Sequence, residues 1–192
     1  MDRVLEVIDM LTSDKQVKSI INSVNDNQEK SKNWLIEESN FALAFLKNPS
    51  IVVLAGWYGN LANKLYHYSE NVTSVDIDPN CKKIGRKLYP HINFVTKDIT
   101  KSGFRDDMLP HYDVVVCTSC EHIIKKDFDK MFNKIKKGAL VILQSNNYKE
   151  IKEHVNCFLS YHEFAESLDF DLKYKGKLKL DKFTRFMAVG IK

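Results

Sequence analysis

From residue 50 onward the sequence alternates short apolar runs with helix-like segments, and this alternation limits the fold more than any other feature. The apolar runs are rich in β-branched residues and are bounded by proline, glycine or polar residues, a pattern typical of buried parallel strands. We predict five such strands, at residues 50–55, 72–77, 91–95, 112–117 and 139–144. Parallel neighbours are joined by right-handed crossovers that place helices on both faces of a sheet, so the pattern predicts a three-layer α/β sandwich.

The C-terminal part of the chain breaks this alternation. A helical pattern at residues 162–169 is followed by two strand-like runs, 171–180 and 184–191, with only a short turn between them. Two strands joined by so short a turn must be antiparallel. We therefore predict a seven-stranded, mostly parallel sheet with an antiparallel C-terminal hairpin at one edge.

The N-terminal part has helical periodicity. A polar break at residues 12–14 offers N-cap chemistry between two helical segments. A third helix is expected over residues 32–46 and is ended by Asn48 and Pro49. The apolar positions of the first two helices are Val4, Leu5, Val7, Ile8, Leu11, Val17, Ile20, Ile21 and Val24.

The length of 192 residues suits a single domain, in which we expect residues 1–48 to form a helical lid over a core of residues 49–192. The net charge of +4 is spread along the chain and does not indicate a nucleic acid partner. The sequence has no apolar run of the roughly 20 residues needed to span a bilayer, and its N-terminus is too charged for a secretory signal. We therefore expect a cytoplasmic protein.

The cysteines and histidines do not form a recognisable metal or disulfide pattern. Cys117 and Cys120 make a C-x-x-C pair, but it lacks a second pair and the flanking residues of a zinc or redox motif. His122, His154 and His162 offer imidazoles, yet they lack metal-ligand spacing along the chain. The sequence therefore predicts no metal site.

Polar or glycine-containing segments follow the predicted strands, at the edge where open α/β sheets bind ligands. These segments are the turn 56–60, Asp76, Asp98 and residues 118–122. Asp76 lies 20 positions after Gly56, a separation at which a carboxylate can accept hydrogen bonds from ribose hydroxyls. Because neither G-x-G-x-x-G nor a Walker A loop is present, the pattern favours a nucleoside ligand without a pyrophosphate.

Residues 51–143 resemble the motif series of the class I S-adenosylmethionine-dependent methyltransferases. IVVLAGWYGNLA is similar to their glycine-rich first motif, VTSVDIDP to the second, INFVTKDIT to the third and YDVVVCTSCEHI to the fourth. ALVILQSNN resembles their fifth strand, and the terminal hairpin is similar to strands six and seven. The resemblance implies a Rossmann-like fold, S-adenosylmethionine as cofactor and S-adenosylhomocysteine as product.

The resemblance also implies roles for individual residues. Gly56, Tyr58 and Gly59 would lie beside the methionine moiety and the ribose. Asp76 would accept hydrogen bonds from the ribose hydroxyls, and Ser119 would lie near the methionine end, close to the reacting methyl group.

The adenine would be held by three further residues. Ile77 would pack on the ring, Asp98 would accept from the adenine amine, and the backbone of Ile99 would meet the ring edge. The first motif departs from the family, because Leu54-Ala55 replaces the usual acidic residue and the glycines follow a G-x-x-G pattern. The resemblance therefore assigns no acidic residue to the methionine amino group.

The segment after the fourth strand bears most directly on the acceptor. It lacks the Asn/Asp-Pro-Pro-aromatic motif of enzymes that methylate base amines, and Glu121-His122 instead resembles the pair common in small-molecule methyltransferases. An imidazole can take a proton from a hydroxyl or ammonium group, so we expect His122 to act as a base. Glu121 would orient the imidazole or bind a cationic substrate. The alternative is that His122 only caps a helix.

Three more residues are candidates for contact with the acceptor. Trp34 could close over the site, although an aromatic residue at helical spacing is more often part of a core. Asn146 and His154 belong to a polar stretch at the same rim of the predicted sheet. We expect the acceptor to be a small polar metabolite that is methylated on oxygen or nitrogen.

Three other functions stay open. A nucleic acid methyltransferase would need a basic surface, for which the candidates are Lys173, Lys175, Lys177 and Lys179. A charged sheet edge that resists aggregation explains the same lysines. The unusual first motif is compatible with aminocarboxypropyl transfer or cofactor cleavage, and the chain could also be a non-catalytic cofactor-binding module.

Overall fold

The computed structural model describes residues 2–9 and 13–192, and its centre is a seven-stranded sheet. The strands are β1 (Ile51–Leu54), β2 (Val72–Asp76), β3 (Asn93–Thr96), β4 (Val114–Cys117), β5 (Leu140–Asn146), β6 (Asp171–Lys179) and β7 (Thr184–Ile191). Their order in the sheet is β3-β2-β1-β4-β5-β7-β6. Strands β1 to β5 pair in parallel, whereas β7 pairs antiparallel with β5 and β6. The predicted Rossmann-like sheet with its C-terminal hairpin is confirmed.

The strand order reverses at β1 and β4, which lie side by side in the sheet. The register aligns Leu54 of β1 with Val75 of β2 and with Cys117 of β4. Because these strands end at nearly the same level, the segments that follow them meet at one edge. Open α/β sheets bind their ligands at such a switch point.

Helices cover both faces of the sheet. Short 3₁₀ turns at Leu109–His111 and Cys120–His122 flank β4. Asp78 caps the helix after β2, and Pro79 begins it. No helix of the described residues combines the length and apolar character needed to cross a bilayer. The helices are α1 (Asp2–Asp9), α2 (Asp14–Ser23), α3 (Asp26–Ala44), α4 (Asn60–Leu65), α5 (Pro79–Leu88), α6 (Ser102–Arg105), α7 (Lys125–Phe132) and α8 (Tyr161–Glu166).

Helix α3 is longer than its apolar periodicity predicts. It begins at Asp26 rather than at residue 32, because the Asn25 side chain accepts a hydrogen bond from the Gln28 amide at 3.0 Å. The acidic residues Asp26 and Glu29 in its first turn favour the positive end of the helix dipole. These polar turns carry no apolar period, so periodicity alone missed them. Residues 10–12, with Leu11 and most of the predicted break, lie outside the described residues.

The predicted lid divides into two parts that pack differently. Helix α3 belongs to the sandwich itself, since Leu35 and Leu43 are fully buried against one face of the sheet. By contrast, Val7 of α1 and Ile20 of α2 pack with Tyr58 and with α5. Helices α1 and α2 therefore pack beside the turn that follows β1 rather than against the face of the sheet.

Candidate functional site

The turn after β1 has a backbone that most residues avoid. Ala55 and Trp57 have φ of 48° and 53°, in the left-handed region, although neither is glycine. Between them, a Cβ on Gly56 would lie 2.2 Å from the Ser74 hydroxyl oxygen of β2, so only glycine fits without displacement. Strained conformations of this kind cluster at ligand-binding sites.

The strained turn is fastened to Asp76 at the end of β2. One carboxylate oxygen of Asp76 accepts from the Trp57 amide at 2.9 Å, and the other accepts from the Asp78 amide at 3.0 Å. The Cys81 thiol also hydrogen-bonds to this carboxylate, and because a carboxylate has about four lone-pair positions, some acceptor capacity remains for a ligand. Asp76 thus shapes the β1 turn and still has acceptor capacity at the rim of the sheet.

Two adjoining cavities open at this rim and share Ala55, Asp76 and His122. The first, of about 440 Å³, extends from helices α2 and α3 across the ends of β1 and β4 to β5 and β7. The second, of about 300 Å³, lies over the ends of β2 and β3. Together they form a continuous cleft across the switch point.

Most of the predicted site residues line one of these cavities. The first is lined by Gly56, Tyr58, Asp76, Ser119, Glu121, His122, Asn146 and His154. The second is lined by Asp76, Ile77, Asp98, Ile99 and His122. The residues expected near the methionine moiety and the acceptor are therefore gathered in one cavity, and those expected near adenine in the other.

Two predicted site residues are placed elsewhere. Of the described residues, Gly59 and Trp34 line neither cavity. Gly59 has a φ of 86° and precedes α4, so its glycine serves the turn. Trp34 is 9% exposed and packs in the core beneath β6, where it comes close to Gly176. The core interpretation of Trp34 is thus the one that its surroundings favour.

The second cavity has a carboxylate and an apolar surface. Asp98 accepts from the Thr100 hydroxyl at 2.7 Å and from the Thr100 amide at 2.9 Å. The hydrogen bond from the Thr100 side chain is the main cause that holds the pKa of Asp98 below its usual value. Both bonds fall on one oxygen, which leaves the other free. Ile77 is 66% exposed and offers an apolar side chain at the rim.

A buried polar network holds the β4 end of the first cavity. Glu121 is 3% exposed, and its Oε1 accepts from Asn146 Nδ2 at 2.7 Å and from Arg185 Nη1 at 3.0 Å. Arg185 also donates to the Thr118 carbonyl at 2.9 Å. The network therefore joins the segment after β4 to strands β5 and β7.

Two histidines lie beside Glu121. The rings of His122 and His154 are perpendicular, with centroids 4.6 Å apart. His154 belongs to the segment after β5, which is fastened by two amide hydrogen bonds, from Val155 and Asn156 to the Glu121 carbonyl at 2.9 and 3.0 Å. His162 is exposed on α8 and lies outside this group.

Sequence reasoning missed two cations that line the first cavity, Lys32 and Arg185. Lys32 is buried and donates from Nζ to the Ser23 carbonyl at 2.8 Å; its burial lowers its pKa to about 8. Arg185 is the one charged residue within the apolar run of β7, a signal that points to a buried partner. Lys32 offered no such signal, because a lysine at the start of a predicted helix is ordinary.

The central part of the chain matches a known protein family. Residues 52–138 match the family model described as a methyltransferase domain. No curated protein sequence matches the chain.

Solved structures of similar fold include methyltransferases. N-methyltransferase NodS from Bradyrhizobium japonicum WM9, in complex with S-adenosyl-L-homocysteine, is 14% identical with a TM-score of 0.69, over 100% of this chain and 98% of that chain. Magnesium protoporphyrin IX methyltransferase (ChlM) from Synechocystis PCC 6803, with bound S-adenosylmethionine, is 14% identical with a TM-score of 0.63, over 100% and 90% of the two chains. At these identities the likeness establishes the fold.

Proposed function

We propose that this chain, a class I S-adenosylmethionine-dependent methyltransferase, transfers the methyl group to an oxygen or nitrogen atom of a small polar metabolite. The observation that carries the proposal is the continuous cleft at the switch point of the sheet. One end has the carboxylates Asp76 and Asp98, and the other has Glu121, His122 and His154. A nucleoside-binding half therefore adjoins a half that offers acceptor-binding and proton-accepting groups.

The residues of the cleft fit S-adenosylmethionine. Asp76 keeps acceptor capacity for ribose hydroxyls beside its hydrogen bonds with Trp57, Asp78 and Cys81. The free oxygen of Asp98 is suited to an amine donor, and Ile77 supplies apolar surface for a ring. Since Ala55 replaces an acidic residue, we assign the methionine end to groups of the N-terminal helices, with Lys32 facing the carboxylate.

Methyl transfer requires that the acceptor be aligned with the methyl group and that a base accept the acceptor's proton. S-adenosylmethionine supplies a methyl group on a cationic sulfur, which keeps the electron pair of the breaking bond while the acceptor lone pair forms the new one. Positioning of the acceptor can supply much of the rate. His122, shared by both cavities, is exposed and can take the acceptor's proton and release it to water.

The acceptor half is lined by hydrogen-bonding groups, which supports a polar acceptor. Asn146, Tyr148, His154 and Arg185 line it, with Phe183 as an aromatic wall. The lysines of β6, by contrast, lie at the edge of the sheet and line neither described cavity. A small acceptor is therefore favoured over a nucleic acid.

Calorimetric titration with S-adenosylmethionine and S-adenosylhomocysteine tests the cofactor half. We expect Asp76→Asn to weaken binding of both at least tenfold, since hydrogen bonds to a charged group are worth about 1.5–3 kcal/mol. Asp107→Asn, which changes an exposed aspartate outside both cavities, serves as the matched control. Equal affinity of the Asp76→Asn variant and the wild type would remove the ribose assignment.

Mass spectrometry of a panel of hydroxylated and amine acceptors tests the reaction. Methyl transfer yields S-adenosylhomocysteine and an acceptor that has gained one methyl group. Aminocarboxypropyl transfer would instead yield methylthioadenosine, so the nucleoside product alone distinguishes the two reactions. Detection of methylthioadenosine as the enzymatic product would contradict the proposed methyl transfer.

A further inference from the structure

Three side chains of the acceptor half converge on one point. One ligand-type atom of each of Glu121, His122 and His154 lies within 4.8 Å of the others. Glu121 and His122 come from the 3₁₀ turn after β4, and His154 comes from the segment after β5. The group is therefore assembled by the fold from two separate segments.

The carboxylate of Glu121 is only half used. Its Oε1 accepts two hydrogen bonds, whereas Oε2 is buried and has no hydrogen-bond partner among the described residues. A buried carboxylate oxygen without a partner is costly, and native proteins seldom retain one without a ligand or ion. Glu121 lines the first cavity, so a ligand in that cavity can reach this carboxylate.

His154 has a fixed tautomer. Its Nδ1 lies 2.5 Å from the Tyr148 carbonyl oxygen, which can only accept a hydrogen bond. Nδ1 therefore carries the proton in the neutral ring, and the lone pair is on Nε2. Metal-binding histidines are commonly oriented in this way, by donation of the other ring nitrogen to a carbonyl or carboxylate.

We propose that Glu121, His122 and His154 form a binding site for a divalent transition-metal ion of the zinc or cobalt type. Two imidazoles and one carboxylate suit these ions, whereas magnesium and calcium prefer oxygen ligands. Three protein ligands leave at least one coordination position open toward the cavity. This proposal revises the expectation of no metal, which rested on the spacing of histidines along the chain.

Arg185 lowers the affinity of this site for a metal ion. Its guanidinium lies 3.0 Å from Glu121 Oε1 and so compensates the carboxylate charge before any ion binds. The cation must then be held largely by Oε2 and two neutral imidazoles. We therefore expect micromolar affinity, weaker than that of structural zinc sites.

The site deepens the proposed function and, in this respect, rests on it. An acceptor hydroxyl or amine at the open position would lose its proton more readily, because a bound cation lowers the pKa of its ligands. His122 would then act as a ligand, and the proton would pass from the bound acceptor to water in the exposed cleft. Acceptors that offer a metal-binding oxygen or nitrogen beside the methylated atom would be preferred.

Titration of the full, tag-free chain with Co²⁺ tests the site, because the visible absorption of Co²⁺ reports its coordination. We expect one equivalent to bind to the wild type and His154→Ala to weaken binding at least tenfold. His162→Ala, which removes an exposed histidine of α8, is the matched control and should bind as the wild type does. His122→Ala provides a second variant in case His154→Ala does not fold.

The outcomes separate the metal from the cofactor. No saturable Co²⁺ spectrum in the wild type, or an unchanged spectrum in both His154→Ala and His122→Ala, would overturn the proposal. Titration of the wild type and of His154→Ala with S-adenosylhomocysteine should give equal affinities, since His154 lines only the first cavity. If the wild type does not bind S-adenosylhomocysteine at all, the proposed function is refuted. The result of the Co²⁺ titration would be unaffected by that outcome.

Discussion

The two halves of the cleft are built in different ways. In the nucleoside half, Asp76 and Asp98 lie at the ends of neighbouring parallel strands. Each accepts a hydrogen bond from the backbone amide two residues further along the chain, and Asp76 also accepts one from the turn after β1. In the acceptor half, Glu121 bonds to Asn146 and Arg185, which belong to different strands. The first half depends on local geometry repeated along a sheet, whereas the second depends on long-range contacts between side chains.

This difference predicts where each half is vulnerable. Local hydrogen bonds at a strand end leave the carboxylates partly exposed, so a change there affects ligand binding more than folding. In the acceptor half, the side chains of Glu121 and Arg185 are only 3% and 7% exposed, so a change there lowers the stability of the fold more than it lowers ligand affinity. Variants of the two halves should therefore separate affinity from stability.

Arg185→Ala should give the largest loss. It leaves the Glu121 carboxylate buried without its cation, which costs about 3–5 kcal/mol of unfolding free energy. Urea denaturation measures this loss, and Lys179→Ala, on the exposed edge strand, should stay within about 0.5 kcal/mol of the wild type. The double variant Glu121→Leu/Arg185→Leu should lose less than the two single changes added together; a strictly additive result would contradict the pairing.

Gly56→Ala should have the next largest effect. Its Cβ would lie 2.2 Å from the Ser74 hydroxyl oxygen, so we expect a loss of about 1–3 kcal/mol together with weaker cofactor binding. Ser74→Ala in the same chain removes that oxygen and should restore part of the loss. Gly103→Ala, where the nearest atom is a flexible lysine nitrogen at 3.6 Å, is the control. Failure of Ser74→Ala to rescue would show that the clash lies elsewhere.

Lys32→Met should stabilise the protein and weaken cofactor binding. Burial lowers the pKa of Lys32 from 10.5 to about 8, so the folded state binds fewer protons than the unfolded state between these values. The loss of stability caused by burying the ammonium group is fully present below pH 8 and disappears as the pH rises toward 10.5. We expect a gain of about 1–2 kcal/mol at neutral pH, after loss of the bond to Ser23.

Denaturation of Lys32→Met at about pH 7 and about pH 9.5 measures this dependence. The difference from the wild type should shrink at the higher pH. Lys30→Met, on the exposed face of the same helix, should show no such pH dependence. A constant difference across the range would mean that burial of the ammonium group is not the cause.

Asp98→Asn should have the smallest effect. One oxygen remains to accept from Thr100, so stability should change by no more than about 0.5 kcal/mol. Loss of the charged acceptor should weaken cofactor binding by less than the Asp76 substitution does, about threefold to tenfold by calorimetry. A larger loss for Asp98→Asn than for Asp76→Asn would reverse the order that we assign to the two carboxylates.

Much of the nucleoside half could be predicted from the sequence. The strand ends after β1, β2 and β3 place Gly56, Asp76 and Asp98 at one rim, because parallel strands in register end together. The early start of α3 escaped prediction, since its first turns are polar and show no apolar period. The core position of Trp34 was left open, because helical spacing alone does not say which aromatic faces a cleft.

By itself the sequence determined the succession of strands and helices along the chain, the closing hairpin and the carboxylates at the strand ends. These depend on local patterns and on the fixed geometry of parallel sheets. Only the tertiary structure decided that Arg185 neutralises Glu121, that Lys32 enters the cleft from α3, and that His154 meets His122. Such contacts join residues far apart in the chain, and no periodicity or spacing along the sequence encodes the packing that brings them together.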